Sequence, residues 1–514
     1  MYILSFLLFL PFIFSQNDPA QFQNLLTNFF KMSSNYKLTP RTTSNYATPI
    51  NYKYIDRTEY AVNRRILSKV FESDLVLTKP QMEDVIDTFR SRITGTPKRV
   101  KRNAAIGGDK YRWPNSTVPF EYKDNSTEWR EIVRNGMKRW EKETCIRFRK
   151  HNGEKDYAVF FKGGGCYSNV GRTGGRQYIS IGYGCEGAGI VAHEIGHALG
   201  FWHEQSRPDR DQFININEDK LMKGVQGNFE KKDDLQATDI PYDLGSVMHY
   251  GPQAFTKDFR YVTIETKDHR FQHTIGQRGD LSFTDVKHAN KLYCSHICTQ
   301  KLYCENGGYE DPLNCSMCKC PPGLGGQRCE RIAPSKYGCG GEYFASANWQ
   351  TITNTEVGEC HWRIIAPSGR IHFEVIDTKY KCDSSCAENY LEIKHSKHAE
   401  RTGFRQCCNP VPGRIVSESN QVIINSISQV APANFTIRFI LDSASHVPPP
   451  PAAWEGNGGL TGLWGANEVG IDNTLEQVVL KDLPRVLQNS RGKPSIGSFF
   501  SLLDTFLKSN NGGK

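Results

Sequence analysis

The sequence predicts a multidomain fold in which an α+β domain is followed by a small disulfide-rich module, an all-β sandwich and a disordered tail. Chain length is the first observation, because 514 residues exceed what a single hydrophobic core organises. Cysteine placement is the second, since all 16 cysteines lie between Cys145 and Cys408. Composition is the third, because alternating β-type runs such as 370–376 give way after His446 to Pro-, Gly- and Asn-rich sequence.

The first fifteen residues form an apolar run that ends in a small residue. This pattern predicts a secretory signal peptide over residues 1–15, with a signal anchor as the alternative. The run is short for a bilayer span, and no later segment is long and apolar enough to cross one. We therefore expect a secreted, extracellular protein without a membrane span.

Cysteine number and charge narrow the chemistry further. In an exported protein, an even number of cysteines indicates disulfide bonds rather than metal thiolates. The formal charge of +9 is scattered among acidic residues and accompanies no RNA- or DNA-binding motif, so we expect no nucleic-acid partner. Glycosylation sequons suit an exported chain, and four occur, at Asn115, Asn125, Asn314 and Asn434.

Residues 16–102 lack cysteine and are rich in Asn, Thr, Tyr and basic residues. Short helical patterns are predicted near 60–72 and 79–92. The stretch ends in a dibasic run at the point where globular sequence begins. This predicts a propeptide that is cut after Arg102, so that the mature chain begins at Asn103. A solvated basic surface is the alternative.

Residues 103–294 predict one α+β domain. A strand is expected at Val118–Tyr122, an amphipathic helix around Trp129–Thr144, and a second helix around Gly187–Leu199. Between the helices, the glycine-rich stretch Gly163–Gly184 alternates with short β-like runs. The second helix contains the residues with metal-binding spacing.

His193 and His197 are four residues apart, so on a helix they share one face and can bind one metal ion. Gly200 permits the sharp turn that brings His203 back as a third nitrogen ligand. Three protein ligands plus a water define a catalytic Zn²⁺ rather than a closed structural one. Glu194 is then placed to take a proton from the zinc-bound water that acts as the nucleophile. A helix with surface histidines is the alternative.

The run from His193 to Asp211, HEIGHALGFWHEQSRPDRD, followed by SVMHY at Ser246–Tyr250, resembles the astacin family of metzincins. The resemblance covers residues 103–294 and implies a zinc metalloendopeptidase that hydrolyses peptide bonds, with one zinc ion per catalytic domain. It also implies a zymogen whose substrates are extracellular matrix, cuticle or secreted proteins.

The resemblance assigns further roles. Met248 would form a hydrophobic floor beneath the metal. Tyr250 would be a resting fifth zinc ligand that swings away to stabilise the oxyanion. Glu204 would bind the new N-terminus at Asn103. The two disulfides of the family correspond here to Cys145–Cys294 and Cys166–Cys185.

The propeptide resembles astacin precursors at Phe71-Glu72-Ser73-Asp74. In that family an Asp blocks the zinc, so Asp74 is the expected latency ligand. Ser73 stands where the family has Gly, a residue used for positive φ. An ordinary acidic residue after a helix is the alternative.

Substrate preference follows the family as well. Its members often favour an acidic residue just after the cut. A basic side chain beyond the Met-turn, which is Ser246–Tyr250 here, binds that residue. Lys257 lies in that part of the sequence. A solvated surface lysine is an equal alternative.

Residues 295–331 resemble an EGF-like module, in which Cys320–Cys329 is the expected pair. The pairing among the first four cysteines of this module stays open: Cys298, Cys304, Cys315 and Cys318. Residues 339–442 resemble a CUB domain, with Cys339–Cys360 as its first pair. Cys382 and Cys386 then pair with Cys407 and Cys408 in either order.

The order of these segments is typical of nematode astacins. Such modules commonly bind protein or glycan partners, so extracellular partners are expected beside the protein substrates. Residues 443–514 are predicted to form a disordered tail. The alternative function is a catalytically silent extracellular binding module, which loss of Glu194 or of a metal ligand would have favoured.

Overall fold

A computed structural model describes residues 19–34, 56–95, 108–232, 239–408 and 413–442. They all belong to one compact unit, Met1–Trp464. The predicted signal peptide, the predicted cut after Arg102 and the predicted disordered tail lie outside the described residues.

The cysteine-free region at residues 16–102 is here called the prosegment. Its described parts, 19–34 and 56–95, contain three helices: α1 (Pro19–Ser33), α2 (Glu59–Asn63) and α3 (Lys79–Thr94). Thr78 begins α3 with a capping box, since Thr78 and Gln81 exchange hydrogen bonds between side chain and backbone N–H. The sequence patterns did not predict α1. Its Phe29 ring packs 5.4 Å from that of Phe89 on α3, so tertiary contacts bury its apolar face.

Residues 108–294 correspond to the predicted astacin-like domain and are here called the catalytic domain. The first strands are β1 (Thr117–Tyr122), β2 (Arg147–Lys150), β3 (Tyr157–Phe161), β4 (Cys166–Tyr167) and β5 (Arg176–Ile181). They form one sheet in the order β2-β1-β3-β5-β4, in which only β4 is antiparallel to its neighbour.

Two helices, α4 (Thr127–Glu143) and α5 (Ala188–Ala198), pack closely on each other. The close approach depends on Gly136, because a Cβ there would overlap Val191. The indole N–H of Trp140 on α4 donates to the carbonyl of Ala192 on α5 at 2.9 Å. This packing holds the metal-binding helix in place.

The second half of the domain contains a short antiparallel pair and a helix: β6 (Ile214–Ile216), β7 (Ile264–Thr266) and α6 (Phe283–Tyr293). A disulfide joins Cys294, at the end of α6, to Cys145 after α4. A second disulfide joins Cys166 to Cys185. Both crosslinks therefore lie around the sheet and the metal-binding helix.

Residues 295–331 are held by three disulfides and two small antiparallel pairs. The strands are β8 (Tyr309–Asp311), β9 (Asn314–Lys319), β10 (Leu324–Gly325) and β11 (Arg331–Ile332). The structure pairs the four cysteines that the sequence left open as Cys298–Cys315 and Cys304–Cys318. It also contains the predicted pair Cys320–Cys329.

The C-terminal described region is a two-sheet β-sandwich. Its strands are β12 (Gly341–Phe344), β13 (Gln350–Asn354), β14 (Gly358–Ile365), β15 (Arg370–Lys379), β16 (Tyr390–Lys394), β17 (Phe404–Gln406), β18 (Arg414–Val416), β19 (Gln421–Ser428) and β20 (Asn434–Asp442). The sheet orders are β12-β14-β19-β16-β17 and β13-β20-β15-β18. The core includes the edge-to-face pair of Trp362 and Phe435, 5.0 Å between centroids. The disulfides are Cys339–Cys360, Cys382–Cys408 and Cys386–Cys407.

The sandwich packs directly on the catalytic domain. The backbone N–H and the hydroxyl of Thr402 both donate to the buried Asp243 carboxylate at 3.1 Å. Gly245 lies against the same threonine, and a Cβ there would overlap it. The backbone N–H of Arg405 donates to the hydroxyl of Thr274 at 3.0 Å.

None of the helices in the described ranges combines the length and apolar character that crossing a bilayer requires.

Candidate metal centre

Helix α5 and the turn after it bring three histidines together. His193 and His197 lie one turn apart on α5, and both are buried. Gly200 ends the helix with φ +107°, a conformation that a residue with a Cβ rarely adopts. The chain then returns so that His203 is also fully buried beside the first two imidazoles.

Each imidazole is oriented through its Nδ1 atom. Nδ1 of His193 donates to the carbonyl of Val247 at 2.8 Å, and Nδ1 of His197 donates to the carbonyl of Phe201 at 2.8 Å. Nδ1 of His203 donates instead to a prosegment carboxylate, Glu72 Oε2, at 2.9 Å. Because these bonds place the proton on Nδ1, the Nε2 lone pairs face one another.

The Nε2 atoms converge with the carboxylate of Asp74 from the prosegment. Nε2 of His193 and His197 are 3.0 Å apart, and Asp74 Oδ2 lies 3.3 Å from the first and 3.1 Å from Nε2 of His203. Among the described residues, these four form a buried group able to hold a metal ion. Tetrahedral zinc with bonds of about 2.0–2.1 Å separates its ligand atoms by about 3.3 Å. The donor set and its spacing therefore fit Zn²⁺.

The carboxylate of Glu194 is fully buried, next in sequence to the first ligand. Neither of its oxygens has a hydrogen-bond partner among the described residues. Burial, reinforced by the negative charges of Asp74 and Glu59, raises its pKa well above the ordinary value. A buried and unpaired carboxylate beside a metal is the arrangement that general acid–base chemistry requires.

Met248 lies directly beneath α5. A Cβ added to Gly196, between the two helical ligands, would stand 2.8 Å from the Met248 sulfur. Asp285 fixes the turn from below, because its carboxylate accepts from the Ser246 hydroxyl at 2.6 Å and from the Val247 N–H at 2.8 Å. The methionine thus supports the helix that carries the ligands.

Tyr250 is buried beside His203, with 4.5 Å between ring centroids. Its hydroxyl donates to the backbone carbonyl of Glu72 in the prosegment at 2.5 Å. The role of Tyr250 as a resting zinc ligand stays a prediction.

The prosegment reaches the centre as an extended segment. Its backbone pairs with Ser168 beyond the edge strand β4, where the Ser168 N–H donates to the Asp74 carbonyl and the Val76 N–H donates to the Ser168 carbonyl, both at 2.9 Å. Glu72 and Ser73 adopt φ values of +44° and +70°. These left-handed residues turn the chain so that the Asp74 carboxylate points at the histidines.

The sequence profile of the astacin peptidase family matches residues 106–294, and that of the CUB domain matches 339–439. Zinc metalloproteinase nas-26 of Caenorhabditis elegans is 39% identical over 355 residues, which are 66% of this chain and 85% of that protein. The chain belongs to the astacin family.

Two further proteins are similar to this chain. Zinc metalloproteinase nas-30 of Caenorhabditis elegans is 43% identical over 480 residues, which are 91% of this chain and 64% of that protein. The chain therefore spans just under two thirds of the length of nas-30. Among solved structures, High choriolytic enzyme 1, a hatching enzyme zinc-protease from Oryzias latipes, is 34% identical. It matches 37% of this chain and 98% of its own, with a TM-score of 0.35.

This astacin has a buried cation at the centre that the sequence patterns did not single out. The Arg278 guanidinium forms two bonds of 2.7 Å to the carboxylate of Glu59 in the prosegment. Although burial opposes ionisation, the Arg278 charge lowers the pKa of Glu59 to about 2. Glu59 Oε1 also lies 3.8 Å from Nε2 of His193. Arg278 ends the run Ile275-Gly276-Gln277-Arg278, which also resembles the astacin family and is a sequence signal that could have pointed to this residue.

Other predicted residues lie elsewhere. Lys257 is exposed on the surface, and its backbone N–H donates to the carbonyl of Lys220. Glu204 is buried and accepts from the Asp243 N–H at 2.9 Å and from Arg207 at 3.2 Å. Of the glycosylation sequons, one is half-buried, at Asn434, and three are exposed, at Asn115, Asn125 and Asn314.

Proposed function

We propose that this astacin is a secreted endopeptidase, made as an inactive precursor, that uses zinc to hydrolyse peptide bonds of extracellular proteins. One observation supports the proposal above the others. A fully buried Glu194 carboxylate without a hydrogen-bond partner lies beside three imidazoles whose Nε2 atoms converge at zinc-ligand spacing. No part of that arrangement is needed to stabilise a binding module, since an unpaired buried carboxylate is costly.

The residues of the chain have separate tasks. Zinc held by His193, His197 and His203 would polarise the scissile carbonyl and lower the pKa of a water molecule, which supplies a nucleophile at neutral pH. Glu194 takes the proton of the attacking water and passes it to the leaving amine. Once the prosegment has gone, the Tyr250 hydroxyl is released from the Glu72 carbonyl and can donate to the developing oxyanion.

Latency follows from the same contacts. Asp74 occupies the fourth position around the metal centre, and Tyr250 is engaged by the prosegment backbone. Cleavage after Arg102 would separate the prosegment from a mature chain that begins at Asn103. Its new amine would then bind the buried Glu204, as the resemblance implies.

Substrate preference is proposed from Arg278. In the precursor its guanidinium holds the Glu59 carboxylate next to His193. With the prosegment removed, a substrate carboxylate can take the same position, and a bidentate arginine pair is a strong way to bind it. We assign to Arg278 the preference for an acidic residue just after the cut.

The accessory regions suit an extracellular setting. Residues 295–331, with alternating disulfides, are proposed as an EGF-like module, and the CUB sandwich is proposed to bind extracellular proteins or glycans. Matrix, cuticle or secreted precursor proteins are the proposed substrates.

The test is hydrolysis of a quenched peptide library by protein cleaved after Arg102. Glu194→Ala should lower kcat by about 10²–10⁴-fold, and chelation should abolish activity until zinc is restored. Zinc content measured by mass spectrometry should be unchanged in Glu194→Ala, which separates loss of the base from loss of the metal. Zinc-loaded, correctly cleaved protein without activity would favour the alternative, a catalytically silent extracellular binding module.

A further inference from the structure

A second prosegment carboxylate, that of Glu72, occupies a pocket made by the catalytic domain. Its Oε2 accepts from Nδ1 of His203 at 2.9 Å, and its Oε1 lies 3.1 Å from the ammonium of Lys232. Its backbone N–H donates to the side-chain oxygen of Asn228 at 2.8 Å. All three partners belong to the catalytic domain, so the pocket remains with the mature chain when the prosegment is removed.

The three metal-binding histidines differ in which region of the chain supplies the hydrogen-bond acceptor for Nδ1. For His193 and His197 it is a carbonyl of the catalytic domain, from Val247 and Phe201. For His203 it is the prosegment carboxylate of Glu72. A hydrogen-bond acceptor at Nδ1, the nitrogen that faces away from the metal, fixes the orientation of the imidazole. It also raises the basicity of the ligand nitrogen. Activation therefore removes this support from one ligand and leaves it on the other two.

Lys232 has the same dependence on the prosegment. Its side chain is 6% exposed, and its ammonium lies 4.3 Å above the Phe71 ring and 4.8 Å above the Trp202 ring. Its backbone N–H donates to the carbonyl of Ser206 at 2.7 Å, which fixes the position of the residue. Glu72 and Phe71 leave with the prosegment, whereas Trp202 remains. The mature enzyme thus presents a fixed cation, backed by an indole, with its counter-charge removed.

We infer that in the mature enzyme the pocket formed by Lys232, His203 and Asn228 is a second carboxylate subsite, which binds an acidic side chain of the protein substrate. The inference rests on the proposed endopeptidase function and is separate from the Arg278 subsite. Arg278 lies beside His193 and Lys232 lies beside His203, so the two cations receive side chains from different positions of one substrate chain. A substrate carboxylate here also restores the Nδ1 partner of His203.

The test compares peptides with Glu or Gln at each position around a fixed cut, hydrolysed by protein cleaved after Arg102. The readout is the ratio of kcat/KM for the Glu peptide to that for the Gln peptide. Two positions should favour Glu. Lys232→Met should lower the ratio at one of them by about tenfold, and Arg278→Met should lower it at the other. Lys232→Arg, which keeps the charge, should retain most of the preference.

Lys231→Met is the matched control. Lys231 is the preceding residue, and its ammonium is paired with Asp211 at 2.7 Å, away from the Glu72 pocket. Both Glu/Gln ratios should be unchanged in this variant. If Lys232→Met does not fold, as judged by thermal unfolding, Lys232→Gln tests the same contact with a polar side chain.

The outcomes distinguish failure of the inference about Lys232 from failure of the proposed endopeptidase function. Equal losses on Glu and Gln peptides in Lys232→Met would make Lys232 a structural residue and overturn the inference. A single Glu-preferring position, lost only in Arg278→Met, would do the same. Absence of hydrolysis of every peptide by zinc-loaded wild-type protein would instead overturn the proposed function, and the inference with it.

Discussion

The prosegment and the CUB sandwich both pack against the catalytic domain, but they contact different groups. The prosegment places carboxylates on the charged and metal-binding groups of the centre, through Glu59, Glu72 and Asp74. The CUB sandwich contacts the hydroxyl of Thr274 and, through Thr402, a buried carboxylate behind the Met-turn.

The difference extends to covalent structure. All 16 cysteines lie between Cys145 and Cys408 and all are paired, so no disulfide ties the prosegment to the rest of the chain. A single peptide cut can therefore free it, whereas the CUB sandwich keeps three disulfides of its own. Under the proposed activation, the prosegment would be removed and would uncover the groups that the proposed catalysis needs. The CUB sandwich would stay and support the framework behind them.

The largest expected effect tests whether the prosegment blocks the metal centre, and it comes from removing the Asp74 carboxylate. Asp74→Ala, in a precursor made uncleavable by Lys101→Gln and Arg102→Gln, should raise peptide hydrolysis about 100-fold or more. Removing one partner of a buried charged pair costs about 3–5 kcal/mol, which shifts the prosegment towards release. The measurement is the initial rate on a quenched peptide, relative to the uncleavable parent.

Asp87→Ala is the matched control for this change. Asp87 lies on the exposed side of α3 and pairs only loosely with Arg90, at 3.5 Å. It should leave latency unchanged. Asp74→Ala with the same rate as the parent would mean that Asp74 is not the residue that blocks the centre.

The metal ligands could be predicted from sequence because they depend on local geometry. A spacing of four on a helix puts His193 and His197 on one face, and Gly200 supplies the turn that returns His203. The prosegment partners could not be predicted in this way. Glu59 meets Arg278 across 219 residues, and no sequence spacing encodes such a contact.

The same limit explains the other gaps. Lys257 and Arg278 are both basic residues beyond the Met-turn, and only the fold shows which one packs beside α5. Helix α1 is a different case, because its buried Phe22, Leu26 and Phe29 recur at helical spacing and could have predicted it from the sequence. By contrast, the family glycine replaced by Ser73 did indicate the backbone, since Ser73 has φ +70°.

Acid should weaken the CUB sandwich through a buried histidine. Burial, together with the Arg270 charge, lowers the pKa of His395 in the CUB core to about 4, despite the carboxylates of Asp268 and Glu418. The unfolded chain binds a proton near pH 6.5 and the folded chain does not. Stability from this group is therefore present above pH 6.5 and is lost as pH falls towards 4, by at most about 3 kcal/mol.

The measurement is the unfolding midpoint of the CUB transition from pH 7.5 to pH 4.5. His395→Phe, which suits the surrounding rings of Phe373 and Phe404, should flatten its pH dependence. His398→Gln alters a more exposed histidine of the same domain and serves as the control. An unchanged slope in His395→Phe would assign the acid sensitivity to other groups.

The smallest expected effect concerns the backbone conformation of Ser73 in the prosegment. Ser73 is buried with φ +70°, a conformation that costs a residue with a Cβ about 1 kcal/mol or more relative to glycine. Its hydroxyl makes a long contact of 3.4 Å to Asp74 and also interacts with the Tyr250 side chain. Ser73→Gly should therefore tighten latency and lower the residual activity of the uncleavable precursor about fivefold. Ser73→Ala removes the hydroxyl without relieving the backbone, so it should not lower that activity. If both variants raised the rate equally, the hydroxyl contact would outweigh the strain, and serine at this position would stabilise the latent state.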